Sequence, residues 1–234
     1  GGCTGTAVST VTVNPTPTTS VPANSIICNG GTTTASSFVS SPAGGTFDWT
    51  NSDPSIGLAA NGTGNVPAFT AINTGSSVVT ATITVTPTVN GCIGTPNTYT
   101  ITINPTPAAP TAPAVSVCAN TAATLNATAP GGTYDWYDAA SAGTLLMTGP
   151  TYVTPNISAP TNYYVQTTSA AGCVSPMTTV PVTVASALVV NAGSDDTICY
   201  NGNTMLTVVP NGAGYTYSWS PAATLSDGTI YNPV

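Results

Sequence analysis

The sequence predicts an all-β chain built as an extended array of two-layer sandwiches, and three observations carry that expectation. Thr is the most frequent of its 234 residues and, with Val, Ile and Tyr, supplies side chains that fit a pleated surface, whereas good helix formers other than Ala are scarce. Apolar and hydroxylated residues alternate: Val79, Ala81, Ile83 and Val85 interleave with Thr80, Thr82, Thr84 and Thr86, and Tyr99, Ile101 and Ile103 with Thr98, Thr100 and Thr102. Landmarks also recur at intervals of roughly 80 to 90 residues, the size of one small sandwich.

The recurring landmarks are Thr46-Phe47-Asp48-Trp49, Thr133-Tyr134-Asp135-Trp136 and Tyr217-Ser218-Trp219. Two cysteine series keep step with them, Cys28, Cys118 and Cys199 in one and Cys3, Cys92 and Cys173 in the other. Boundaries fall at Asn14-Pro15-Thr16-Pro17 and Asn104-Pro105-Thr106-Pro107, where proline favours extended geometry and removes ladder donors. A third junction, between Ala185 and Asn191, has no proline. Residues 1–17 are therefore expected to hold the last strand of one repeat and a linker. Residues 18–107 and 108–185 form complete domains, and residues 186–234 form the first part of another. In the third unit Tyr163 and Val165, then Val180, Val182 and Val184, repeat the alternation, and Pro181 predicts an edge strand or a bulge. Short strands with turn signals in units of this size indicate sandwiches of immunoglobulin-like type.

Composition excludes much chemistry. The chain has no Lys, Arg or His, and its acidic residues are seven Asp, giving a net charge of −7. There is no histidine base, lysine Schiff base, arginine clamp or imidazole metal ligand, so an enzyme is not expected. Without cations there is no counterion-release term for nucleic acid, and anionic lipid repels the chain. The mean hydropathy of +0.23 reflects missing charge, since no apolar run reaches the roughly 18 residues of a spanning helix. Neither nucleic acid nor membrane insertion is expected.

Six cysteines without C-x-x-C spacing and without histidine favour disulfides in an oxidising, extracellular setting. Pairing within domains joins Cys28 to Cys92 and Cys118 to Cys173, leaving Cys3 and Cys199 to partners elsewhere. Pairing across junctions instead joins Cys3 to Cys28, Cys92 to Cys118 and Cys173 to Cys199. The first scheme is preferred. Cys92 precedes a strand of about eight residues, roughly 26 Å long, after which the linker leads away, and bridged Cα atoms lie within about 7 Å.

Each tryptophan follows an aromatic or Tyr two residues earlier, so both rings face one side of a strand, as core residues do. Tyr137 faces the other way and is the candidate ligand contact. Asp195 with Asp196, and Asp135 with Asp138, are weak oxygen-ligand candidates for Ca²⁺, without an EF-hand spacing; no other cofactor is expected. Asn61-Gly62-Thr63, Asn126-Ala127-Thr128 and Asn156-Ile157-Ser158 match the N-glycosylation pattern in a sequence rich in Asn and Thr.

With these residues in hand, the chain resembles the tandem PKD-like and immunoglobulin-like repeats of giant Bacteroidota surface proteins, among them gliding-motility adhesins. The PKD-like resemblance runs from Ser25-Ile26-Ile27-Cys28-Asn29-Gly30-Gly31 through Pro54-Ser55-Ile56-Gly57-Leu58-Ala59 to Asn104-Pro105-Thr106-Pro107. The immunoglobulin-like one runs from Val117-Cys118-Ala119 through Trp136-Tyr137 to Gly172-Cys173, and Asn191-Ala192-Gly193-Ser194-Asp195, Cys199 and Trp219-Ser220-Pro221 resemble a further PKD-like start. The resemblance implies type IX secretion, a cell-surface location and a role as a disulfide-braced stalk or adhesive segment. Its partners would be neighbouring repeats, surface glycans or other surface proteins. Asp196-Thr197-Ile198 resembles the O-glycan acceptor sequence of such exported proteins, making Thr197 a modification candidate. A carbohydrate-binding module and a subunit of a self-assembling fibre are the rival expectations.

Overall fold

The computed structural model describes residues 1–185, 189–211 and 215–234. The first sandwich contains β1 (Thr18–Ser20), β2 (Ser25–Cys28), β3 (Val39–Ser41) and β4 (Thr46–Asn51), then a 3-10 turn at Pro54–Ile56. It continues with β5 (Asn61–Thr63), β6 (Val79–Val89), β7 (Cys92–Ile93) and β8 (Asn97–Asn104). The main sheet has the order β2-β8-β6-β4-β5, and β7 folds back on β6. Asn90 and Gly91, both at positive φ, make the β6–β7 hairpin turn, the backbone geometry that a tight two-residue connection demands. The facing layer is short: β1 pairs with β3, and bridges Thr32↔Thr70 and Ser36↔Val66 extend it.

The second sandwich repeats this wiring with β9 (Val115–Cys118), β10 (Thr124–Asn126), β11 (Thr133–Tyr137), β12 (Leu145–Thr148), β13 (Thr151–Val153), β14 (Thr161–Thr168) and β15 (Thr178–Ala185). Its main sheet is β12-β11-β14-β15-β9, faced by the pair β10-β13. In both sandwiches the first strand of the main sheet runs parallel to the last: β2 to β8, ending with Cys28 opposite Asn104, and β9 to β15, ending with Cys118 opposite Ala185. The remaining strand pairs are antiparallel.

The alternation read from the sequence is the burial pattern of the strands. Ala81, Ile83, Val85, Tyr99, Ile101 and Ile103 meet Phe38, Ile56, Leu58 and Val66 around Trp49 in one core. Leu125, Val165, Val180 and Val182 surround Trp136 in the other. Phe47 and Tyr134, two residues before these tryptophans, pack against the same cores. On the outer face the Thr80 and Thr102 hydroxyls meet across strands at 3.1 Å, so hydroxyl pairs occupy the positions where charged pairs usually stand. Among the described residues no helix is long and apolar enough to cross a membrane.

Two expectations about strands are corrected. β15 is not an edge strand, because β14 and β9 flank it. However, β9 reaches only from Val182 to Ala185, so Pro181 stands in the half of β15 that has β14 alone beside it. A proline is tolerated there because the ladder on the other side has not begun. Residues 1–17 carry no strand, and Val8, Val11 and Val13 are exposed: a single β segment has no fold without a neighbour to complete its hydrogen bonds. Residues 189–211 and 215–234 likewise carry no strand, apart from the single bridge Asn191↔Val209. The junction expected between Ala185 and Asn191 includes residues 186–188, which lie outside the described residues, as do residues 212–214 within the fourth unit.

Candidate functional site

The feature that sets this chain apart is the junction between the sandwiches. β2 ends at Cys28, level with Asn104 at the end of β8, so Cys28 sits at the trailing pole, where the chain leaves the first sandwich. The hairpin between β14 and β15 carries Cys173 at the leading pole of the second, where the chain arrives. There the Cys173 N–H donates to the Ser169 hydroxyl, and its carbonyl accepts from the Ser169 N–H. A disulfide joins Cys28 to Cys173, with Cα atoms 5.5 Å apart and a sequence separation of 145. Cys173 is buried there.

This pairing corrects both schemes weighed from the sequence. Cys28 to Cys92 is excluded by the strand length that argued for it: Cys92 precedes β8 and Cys28 lies level with its end, so about 26 Å of strand separates them. Cys118 stands at the end of β15 and Cys173 ahead of its start, so they are separated in the same way. Cys92 and Cys118 are free thiols, as are Cys3 and Cys199. The chain does not need to double back, because the cysteine that meets the next sandwich belongs to the first strand of the sheet, not the last hairpin.

Polar contacts fasten the linker on both sides of the bridge. Asn29, next to Cys28, donates its backbone N–H to Asn104 and its side-chain amide to the Thr106 hydroxyl, while its side-chain oxygen accepts from the Asn73 N–H. From the second sandwich the buried Thr167 donates to the Ala108 carbonyl and Thr178 to the carbonyl of buried Pro110. The linker is thus tied at Thr106 to one body and at Ala108 and Pro110 to the other. Sequence reasoning missed these residues. The available signal was the division of the cysteines into two classes, one following a short apolar strand and one following glycine.

The other candidates are dispersed. The Asp135 carboxylate accepts from the Thr148 and Thr168 hydroxyls on the flanking strands, while Asp138 accepts from the Thr144 N–H at 2.7 Å in the following turn. Asp195 and Asp196 are exposed. The Thr204 hydroxyl and the Thr197 N–H hold the Asp196 carboxyl below its ordinary value. No group of three or more metal-ligating side chains occurs among the described residues. Thr197 is exposed. Tyr137 is half-buried, opposite Tyr164, with its hydroxyl accepting from the Gln166 amide.

Residues 107–185 match the family model described as an Ig-like domain, CHU_C associated, a non-catalytic domain type. No curated protein matches the chain. Among solved structures, titin domains A168–A170 align over 71% of this chain with 14% identity and a TM-score of 0.43. The fibronectin(III)-like modules of Clostridium thermocellum CbhA cover 71% with 15% identity and a TM-score of 0.37. The chain spans 64% of the titin structure's length and 94% of the CbhA one.

Proposed function

We propose that this chain is a non-enzymatic structural segment of a long extracellular surface adhesin or filament, of the kind exported by type IX secretion in Bacteroidota, in which PKD-like and immunoglobulin-like sandwiches form a covalently stiffened stalk. The Cys28–Cys173 bridge carries this reading. A disulfide inside one sandwich protects that sandwich alone, whereas one across a junction fixes how two bodies sit relative to each other. It also reroutes tension. Force arriving at Cys28 passes through the sulfurs to Cys173, so the chain between the two cysteines bears none of it, and only β1 and β2 before the bridge and β15 after it lie on its path. Disulfides persist in oxidising compartments, which supports an extracellular setting. The lack of Lys and Arg leaves trypsin-like proteases no site even in an unfolded chain.

Small-angle scattering of the chain before and after reduction tests the stiffening. The oxidised chain should give a narrow interdomain distance distribution, and the reduced chain a broader one, because the polar ties of the linker, those of Asn29, Thr167 and Thr178 among them, would remain without the covalent one. Indistinguishable profiles would refute the reading.

A further inference from the structure

The formed bridge defines two kinds of half-site, and the free cysteines occupy the same two kinds. Cys28, Cys118 and Cys199 each open one turn. The N–H three residues on, of Gly31, Thr121 and Gly202, donates to the cysteine carbonyl at 3.0, 3.3 and 2.7 Å. The residue between, Gly30, Asn120 or Asn201, has positive φ. Cys28 and Cys118 also share the ladder position opposite the end of the final strand. Cys92 and Cys173 both lie between the penultimate and final long strands, and each follows a glycine at positive φ, Gly91 or Gly172. Cys3 follows Gly2 in the same way in sequence.

Each complete sandwich thus carries one cysteine at its trailing pole and one at its leading pole. The single junction between the two complete sandwiches uses one of each. What remains is a leading-pole thiol on the first, Cys92, and an exposed trailing-pole thiol on the second, Cys118.

We propose that Cys92 and Cys118 are halves of the same inter-repeat disulfide, each closed by the complementary cysteine of the adjoining repeat in the same polypeptide. Cys118 and Cys199 pair forward with a Gly-Cys hairpin, and Cys92 and Cys3 pair backward with a turn-opening cysteine. The offset in each case is about that of the observed bridge, 145 residues. Closure oxidises two thiols to one disulfide by exchange with a disulfide oxidant, such as an oxidoreductase of an oxidising compartment. The oxidant's disulfide takes up the two electrons and two protons and leaves as two thiols. Successive bridges overlap, so that each sandwich is tied covalently to both neighbours. This deepens the stalk reading and rests on it.

The test is a cysteine map of the native polypeptide that contains this chain, alkylated without reduction, digested with pepsin and read by mass spectrometry. The expected result is a Cys28–Cys173 peptide pair together with Cys118 linked to a Gly-Cys peptide about 145 residues downstream, at unchanged monomer mass. Alkylated Cys92 and Cys118 beside an intact Cys28–Cys173 bridge would overturn this inference and spare the stalk reading. So would links from either residue to a second chain, revealed by a mass that falls on reduction. Cys28 paired with Cys92 would overturn both.

Discussion

Cys28 faces Asn104 across the parallel ladder of β2 and β8, and that register decides which cysteines can meet. It puts Cys28 at the linker and leaves Cys92 a strand's length away. The bridge to Cys173 closes a loop of 145 residues, which the chain-entropy model values at about 5 kcal/mol when everything inside it unfolds together. Calorimetry of the oxidised chain should therefore show a higher melting temperature than the reduced chain, with the Cys28→Ser, Cys173→Ser double variant matching the reduced form. Equal melting temperatures would show that the bridge does not constrain the unfolded chain.

The two core tryptophans differ in one hydrogen bond. The fully buried Trp136 donates its indole N–H to the Gly149 carbonyl at 2.9 Å, while the buried Trp49 N–H has no partner. Trp136→Phe removes volume and also strands a carbonyl, a loss of about 1–3 kcal/mol beyond the cavity. Trp49→Phe removes volume and an unsatisfied donor. Denaturant titration should find Trp136→Phe the costlier by about 1 kcal/mol or more, and the reverse order would contradict the assigned geometry.

Gly62 pairs with Trp49 between β5 and β4, and a Cβ there would overlap the indole ring. Gly62→Ala should destabilise the first sandwich by about 1–3 kcal/mol, as overpacking does, and change the Trp49 fluorescence. The same substitution in a Trp49→Phe background should cost less, because the smaller ring leaves room. A double-mutant cycle reads the difference, and strict additivity would mean that the two positions do not touch.

Stability should be nearly flat between about pH 5 and 8, since no histidine is present to titrate there. Burial raises the pKa of Tyr99, against a smaller opposite effect of its bond to Ser36, and burial likewise raises Tyr163 and Tyr152. Unfolded tyrosines ionise first, near pH 10, so the folded state binds more protons above that point. The contribution is complete below about pH 10 and is lost as pH rises through the folded values. Thermal melts across the alkaline range should show the fall beginning near pH 10, and a transition at pH 6–7 would contradict this account.

The sandwiches were legible in the sequence because half-buried strands write their period directly. Val79 to Val85 and Tyr99 to Ile103 bury the residues that alternate with Thr, and Trp49 and Trp136 lie in the cores their spacing implied. The disulfide was not legible, because it depends on topology rather than period. Nothing in Ser25-Ile26-Ile27-Cys28 announces that β2 runs parallel beside the last strand, and Ile26 is exposed although Ile27 packs on the core. Without that placement, Cys28 looks equally close to Cys92 and to the linker. The clasp of Asn29, Thr167 and Thr178 was hidden for a simpler reason, since Asn and Thr are common throughout the chain. Residues 1–17, 189–211 and 215–234 include strand-like residues, but strands need partners, and beyond the single bridge Asn191↔Val209 none pair among the described residues there.

The central claim is that one bridge carries tension past the chain between Cys28 and Cys173, which holds most of both sandwiches, and pulling single molecules by their two ends measures this directly. With the Cys28–Cys173 bond closed, the chain between the two cysteines should add no length and neither sandwich should give its full unfolding step. Reduction should release about 500 Å of additional contour, at about 3.5 Å per residue. Full unfolding steps from both sandwiches in the oxidised chain, with no contour gained on reduction, would contradict the account, because the chain between the two cysteines would then be bearing the load.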